Sequence, residues 1–166
     1  MNAQEIAAYL FTQDASLAGE TEWHNLEVQP ILVIPVSKLV QVATILKVSE
    51  GLYFDQLSCI TGVDNGEKVG TLEVIYHLNS IPYQHTFAFK VIIPRSIESG
   101  LPQVPSLTSV WRTADWQERE AFDMYGIHFE GHPDLRRILL PNDWEGYPLR
   151  KDYKEQEYYH GIKVAY

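Results

Sequence analysis

Cysteine is almost missing from this 166-residue chain, which carries only Cys59. One thiol can neither close an internal disulfide nor supply the several thiolates of a zinc ribbon or an iron–sulfur cluster. Any redox role must therefore be exercised without a cluster of the chain's own. Long apolar runs are missing as well: the densest, Ile31-Leu32-Val33-Ile34, is stopped by Pro35, far short of the roughly 20 residues that a spanning helix needs. The start, Met-Asn-Ala-Gln-Glu, has neither the basic residues nor the apolar core of a secretory signal, so a cytosolic setting is expected. Positive charge is scarce, with 13 Lys+Arg against 22 Asp+Glu and a net charge of −9. That is the wrong sign for gripping phosphate backbones, and nucleic acid is not an expected partner. The chain also lacks G-x-x-x-x-G-K-[ST], G-x-G-x-x-G and G-x-S-x-G, which removes the common phosphate cradles and the hydrolase nucleophile elbow.

What is present is ordinary globular material, 45% hydrophobic with 10 Gly and 9 Pro, long enough to bury roughly two-thirds of its unfolded surface in one core. Asn2 followed by Glu5 three residues later resembles a capping box and predicts a helix from Asn2 to Phe11. A short β-rich run, Gln29 to Val36, precedes a helix from Lys38 to Val48 for which Ser37 is the expected N-cap. Leu57 to Val63, Thr71 to Leu78 and His85 to Ile93 are rich in β-branched and aromatic residues and read as a three-strand meander, its first turn marked by Asp64-Asn65-Gly66. Pro94 to Pro105 reads as a surface loop. Thr113 or Asp115 can start a helix over Trp116 to Tyr125, with Gly126 where a left-handed residue stops it. The expected fold is therefore α+β, a mainly antiparallel sheet of about four strands backed by helices.

Beyond that helix the chain changes character. Residues 1–135 hold 7 basic and 17 acidic side chains, residues 136–166 hold 6 and 5. Gly131, Pro133, Pro141, Gly146 and Pro148 forbid long regular elements. Yet Leu135, Ile138, Leu139, Leu140, Trp144, Tyr147, Leu149 and Tyr153 are too apolar to leave solvated. We divide the chain into a core, residues 1–130, and an extended irregular C-terminal arm, residues 131–166, which either folds back on its own domain or lies on another protein. Aromatic side chains from Trp111 to Tyr153, set beside Arg136, Arg137, Arg150, Lys151 and Lys154, are interface residue types, and they favour the second alternative. On that reading the arm orders only against a partner.

The densest ionisable cluster is Glu118-Arg119-Glu120 with Asp123, His128, Glu130 and His132. Glu118 and Glu120 sit two apart on a helix and point about 160° apart, so they cannot share a substrate. Arg119 and Asp123, four apart, have the spacing of a helix-face ion pair. His128 and His132 imitate the H-x-x-x-H spacing of zinc ligands, but Gly131 and Pro133 break the helix that would align them. His24, His77, His85 and His160 are scattered, and Cys59 within Leu57-Ser58-Cys59-Ile60 reads as a small buried hydrophobe. No catalytic and no metal-binding residue is assigned. A free-standing metal-dependent or acid/base enzyme built on Glu118, His128 and His132 is one reading that stays open, and a soluble interaction module is another.

The stretch Trp116-Gln117-Glu118-Arg119-Glu120-Ala121-Phe122-Asp123-Met124-Tyr125-Gly126-Ile127 resembles the thirty-kilodalton subunit family of respiratory complex I, the C-type subunit of the bacterial proton-pumping NADH:quinone oxidoreductase. The resemblance continues through His132, Pro133, Arg136 and Ile138-Leu139 and into Pro148-Leu149-Arg150-Lys151-Asp152-Tyr153, covering about residues 111–153. It implies a structural and assembly subunit that binds no cofactor itself. NADH, FMN, iron–sulfur clusters and quinone would belong to the assembled complex. The implied partners are the large quinone-site subunit, of the forty-nine-kilodalton type, and neighbouring iron–sulfur subunits of the hydrophilic arm, on the cytoplasmic side of the plasma membrane. Membrane association would come only through the complex. Glu118, Arg119, Glu120 and Asp123 would form an ion-pair network, while Arg136, Arg137, Trp144, Arg150, Lys151, Asp152 and Tyr153 would dock on partners, Arg by paired hydrogen bonds to carboxylates. The family domain also occurs in energy-converting hydrogenases, the F420H2 dehydrogenase and the photosynthetic NDH complex, which are the alternative hosts. With its end at Tyr166, the chain is expected to be a separate polypeptide rather than a fusion with the quinone-site subunit.

Overall fold

Strand alternation sets the architecture of the computed structural model, which describes residues 1–25, 29–96 and 100–164. In β4 (Thr71–Ser80) every second residue is buried. Phe87, Phe89, Val91 and Ile93 of β5 (His85–Pro94) and Leu57 and Ile60 of β3 (Gln56–Asp64) are buried with them in one core. The Tyr76 and Phe89 rings stack there with centroids 5.0 Å apart. Two helices complete that core: α1 (Ala3–Gln13) contributes Ile6 and Leu10, and α3 (Leu39–Val48) contributes Leu39, Val42, Ala43 and Leu46. The period-2 and period-3.6 stripes thus bury each other, which is what an α+β layer requires. A short helix, α2 (Leu17–Glu20), follows α1.

The α+β class is as expected, and the strand inventory is larger. The main sheet has five strands in the order β1-β2-β5-β4-β3. Its added member is β1 (Glu22–Asn25), antiparallel to β2 (Pro30–Val33). All pairings in this sheet are antiparallel except β2 with β5, where Leu32 and Val33 lie opposite Phe89 and Lys90. A second, parallel pair, β6 (Gln103–Pro105) with β7 (His128–Glu130), flanks α4 (Ala114–Tyr125). Part of the expected 94–105 loop is therefore strand at both ends, and its residues 97–99 lie outside the described set. The arm ends in a small ribbon, β8 (Tyr158–Tyr159) with β9 (Ile162–Lys163).

Local start and stop signals are mixed in outcome. The Asn2 side chain accepts from the Glu5 N–H at 2.9 Å while Glu5 accepts from the Asn2 N–H at 2.8 Å, a full capping box. Ser37 does not cap α3; it lies in a 3-10 turn, Val36–Lys38, that runs directly into the helix. Cys59 is exposed rather than buried, because a register irregularity between Leu57 and Cys59 breaks the alternation.

β3 is an outer strand, and an open strand edge invites pairing with another chain. Here α4 occupies it. The Gln117 Oε1 accepts from the Ile60 N–H at 2.6 Å and the Tyr125 ring lies on Gly62, and just ahead of the two elements the Trp111 indole donates to the Phe54 carbonyl at 2.8 Å. A Cβ at Gly62 would stand 2.6 Å from Tyr125 Cδ2. Gly62→Ala is expected to cost about 1–3 kcal/mol by overpacking and to lower Tm by roughly 3–10 °C. The double variant Gly62→Ala/Tyr125→Leu recovers part of the loss in a thermal melt, and an unchanged Tm for Gly62→Ala would contradict the contact.

Candidate functional site

The helix α4 is unusual in what it buries, with Glu118, Arg119 and Asp123 all enclosed. A buried charge is tolerated only with partners, and each of these finds them outside its own helix. Gly126, at φ 67°, ends α4 in the left-handed region that favours glycine. A Cβ there would meet the Tyr147 ring at 2.5 Å, so the same position also seats the arm.

Asp123 is fully buried and organises the arm. Its Oδ2 accepts from three consecutive amides, Ile138 at 3.0 Å, Leu139 at 2.8 Å and Leu140 at 2.9 Å, and its Oδ1 accepts from Arg137 Nη1 at 2.6 Å. Burial alone would raise the Asp123 pKa, but the three amides and the Arg137 guanidinium outweigh it and hold the carboxyl below its ordinary range. One turn earlier, Arg119 donates to the Arg136 carbonyl at 3.1 Å and the Arg137 carbonyl at 3.3 Å. The expected Arg119–Asp123 pair is thus replaced by a clasp: the arm's carbonyls go to Arg119 and its next amides go to Asp123.

The clasp is extended on both sides. The carbonyl of Asp115 binds His132 Nε2 at 3.0 Å, and His132 Nδ1 accepts from the Asp134 N–H at 3.0 Å. The carbonyl acceptor and the amide donor together require the Nε2–H tautomer. Downstream, the Leu149 N–H donates to the Met124 carbonyl at 3.1 Å and Arg150 Nε to the Tyr125 carbonyl at 2.6 Å, capping the C-terminal end of α4. The Tyr147 ring lies between the guanidiniums of Arg137 and Arg150, 5.3 and 5.4 Å from its centroid.

A second carboxylate, Asp64, fastens the far end. It accepts from Arg95 Nε at 2.8 Å, from the Gly66 N–H at 2.8 Å and from the Lys151 N–H at 2.8 Å, and Arg95 also pairs with Asp152. Burial pushes the Asp64 carboxyl up, whereas Arg95 and the two amides bring it well below the usual carboxylate range. Asp64 sits in the Asp-Asn-Gly turn, where it reads only as a hairpin signal; Arg95 follows a strand with no local cue. Neither is legible without the arm in place.

Of the residues expected to face partners, Arg137 and Arg150 turn inward, Asp152 goes to Arg95, and Trp144 Nε1 donates to Tyr153 Oη at 3.1 Å. Arg136 stays exposed and pairs with Asp134 at 2.9 Å, and Lys151 is exposed. Residues 132–153 therefore lie on their own domain, the first of the two alternatives for the arm. Breakers forbid regular secondary structure, but they do not prevent an irregular chain from giving its backbone groups to buried side chains.

Glu118 is separate from the clasp. Its carboxylate is fully buried and accepts from the Ser106 hydroxyl at 2.6 Å and the Leu107 N–H at 2.7 Å, tying the chain after β6 to α4. Burial pushes its pKa up to about 7 against the opposing pull of those two donors, with a small addition from Asp115. The Tyr76 hydroxyl on β4 is buried without a hydrogen-bond partner among the described residues. His128 lies in β7 and His132 is spent on backbone, and among the described residues no three His, Cys, Asp or Glu side chains gather in a metal-holding group.

A family profile described as "Respiratory-chain NADH dehydrogenase, 30 Kd subunit" matches residues 32–159. A protein of Chlorobium phaeobacteroides, named as the C-type subunit of NADH-quinone oxidoreductase, is 42% identical over 98% of this chain and 96% of its own length. A protein of the same name from Chloroherpeton thalassium is 52% identical over 75% of this chain, but the matched stretch spans only 50% of that relative. Among solved structures, a chain of the membrane-bound sulfane sulfur reductase, an archaeal respiratory membrane complex, superposes with a TM-score of 0.72 at 27% identity, covering 91% of this chain and 85% of that one. A trypsin-resistant fragment of Nqo5 gives a TM-score of 0.56 at 25% identity, covering 77% and 98%.

Two outcomes are expected from the geometry. In the isolated chain the amides of Ile138, Leu139 and Leu140 exchange slowly, and Asp123→Ala, which leaves the Arg137 guanidinium without its carboxylate, reduces their protection by roughly 100-fold, equivalent to about 3 kcal/mol. Equal exchange in both proteins would rule out the clasp. Glu118 holds its proton more tightly when folded, so the stability tied to it is present below the unfolded pKa and is lost as pH rises through about 7. Glu118→Gln keeps an acceptor for Leu107 and a donor for Ser106; it is expected to flatten urea stability between about pH 5 and 8 and to gain on the order of 2 kcal/mol over the parent at about pH 8. A parent whose stability does not fall over that interval would contradict the assignment.

Proposed function

The chain belongs to the thirty-kilodalton subunit family of the respiratory-chain NADH dehydrogenase, and from that premise we propose that it is a cofactor-free structural subunit of the hydrophilic arm of a proton-translocating NADH:quinone oxidoreductase. It braces the large quinone-site subunit, of the forty-nine-kilodalton type, and touches neighbouring iron–sulfur subunits. NADH, FMN, the clusters and the quinone are handled by those other chains. The protein sits on the cytoplasmic side of the membrane and reaches it through the complex; among the described residues no helix is long and apolar enough to cross a bilayer.

The observation that carries this reading is the use to which the E-R-E-x-x-D motif is put. Arg119 and Asp123 spend their charge on the backbone of residues 136–140, so the motif's work is to hold an irregular arm in one shape. A pre-shaped arm loses less conformational entropy on docking than a disordered one, which suits a bracing part. On this reading the core, residues 1–130, is the platform and residues 131–166 are the element offered to partners, with Arg136 and Lys151 turned outward and Arg137, Trp144, Arg150, Asp152 and Tyr153 shaping it from within.

The likeness to a chain of the sulfane sulfur reductase complex favours a second reading, in which the host is a related respiratory or hydrogenase-type complex with another electron donor. Tagging the chain in its native host, extracting membranes in mild detergent and identifying stoichiometric partners by mass spectrometry separates the two. Recovery with the large quinone-site subunit and with flavin- and NADH-binding subunits is expected, and Asp123→Ala should lower that recovery at least fivefold at equal expression. Recovery with a hydrogenase or ferredoxin-linked set would change the host and keep the role. Recovery of the chain alone would overturn both.

A further inference from the structure

Between β3 and α4 the edge closure is incomplete. Gln117 reaches Ile60 and Tyr125 covers Gly62, and between these contacts a groove of about 330 Å³ remains, lined by Cys59, Ile60, Thr61, Gln117, Glu120 and Leu149 among others. Leu149 gives it an aliphatic wall, with the rim of the otherwise buried Ile60 beside it: Leu149 is pinned there by its N–H on the Met124 carbonyl, yet keeps 52% of its surface exposed. An exposed leucine held in place by a backbone bond is not left to fold inward.

The groove has one charge of its own. Glu118 is taken by Ser106 and Leu107, and Asp123 by Arg137 and the arm's amides, whereas Glu120 is exposed and has no hydrogen-bond or ion-pair partner among the described residues. The neighbouring guanidiniums are turned elsewhere: Arg119 and Arg137 go to backbone carbonyls and to Asp123, and Arg150 gives Nε and Nη1 to the carbonyls of Tyr125 and Arg95 and keeps its Nη2 buried without a partner among the described residues. The chain as a whole is strongly acidic at −9. A free carboxylate beside an aliphatic wall is complementary to a long cationic side chain, whose methylenes lie along the wall while its head meets the carboxylate.

We propose that the groove between β3 and α4 receives an Arg or Lys, carried on an apolar segment of a neighbouring subunit, with its head on Glu120 and its stem along Leu149 and Ile60. This rests on the bracing role proposed above and names where and by what chemistry the neighbour is held.

Cys59 lines this groove, is exposed and is the chain's single thiol, so its alkylation reports occupancy directly. The rate of N-ethylmaleimide modification is measured by peptide mass spectrometry in the isolated chain and in the detergent-extracted complex that retains it. At least a tenfold slower rate in the complex is expected, with Glu120→Lys, and more weakly Glu120→Gln, bringing the rate back toward that of the free chain. An unchanged rate in a complex that still contains the chain would overturn the groove assignment and leave the bracing role standing. Protection that survives Glu120→Lys would mean an occupant without the cation, and concentration-dependent protection of the chain alone would mean a second copy; either result overturns the proposal. A chain retained by no complex would remove the bracing role, and the groove's occupant with it.

Discussion

The structure turns on one carboxylate. Asp123 receives three successive amides and a guanidinium inside the protein, and these interactions fix where the chain goes after it leaves β7. An isolated carboxylate in that position would cost several kcal/mol in lost hydration. Four donors aimed at two oxygens offset much of that cost, and they do so only in one arrangement of residues 137–140. The anion therefore acts as a specificity device: it tolerates one path for the arm and penalises the rest, since any other path leaves a buried charge unpaired.

Asp64 repeats the logic at the far end of the arm, with Arg95, Gly66 and Lys151 as donors. Two anchors on different elements, α4 and the end of β3, turn an irregular segment into a splint. Between them lie Tyr147, clasped by Arg137 and Arg150, and Leu149, bonded to the end of α4. No sheet or helix is needed to hold this stretch, because its backbone groups are satisfied one by one by side chains and by carbonyls the helix end leaves open.

What can be read in the sequence is local. The Asn2–Glu5 box, the alternation of β4 and the left-handed stop at Gly126 each depend on neighbours within a few residues, and each is as expected. The pairs that build the site join positions far apart in the chain. Arg119 and Asp123 have ion-pair spacing, but a solvent-exposed pair on a helix face is worth about 0.3–0.5 kcal/mol. That small gain is easily displaced when a folded-back arm offers unpaired carbonyls and amides at the same surface. Asp64 and Arg95 do not stand out in the sequence for the same reason, since their partners Lys151 and Asp152 lie 57 or more residues away. Cys59 is misread from its neighbours because a single register irregularity reverses the inside–outside order that alternation predicts.

The parallel pairing of β2 with β5 is equally hidden, and it has a consequence for the site. Because β2 and β1 extend the sheet beyond β5, β3 is left at the opposite edge, where α4 covers it. The helix that carries the clasp is thus the same helix that closes the sheet, and the arm's position is transmitted to the edge strand through Tyr125 on Gly62 and Tyr147 on Gly126. Both glycines admit a ring where a methyl group would collide. Loosening the arm should accordingly be felt at the β3 edge, and a neighbour seated against that edge would in turn favour the closed arm, since linkage between two sites on one rigid helix works in both directions. On the bracing role proposed here, that coupling makes the fold-back and the docking one cooperative event rather than two.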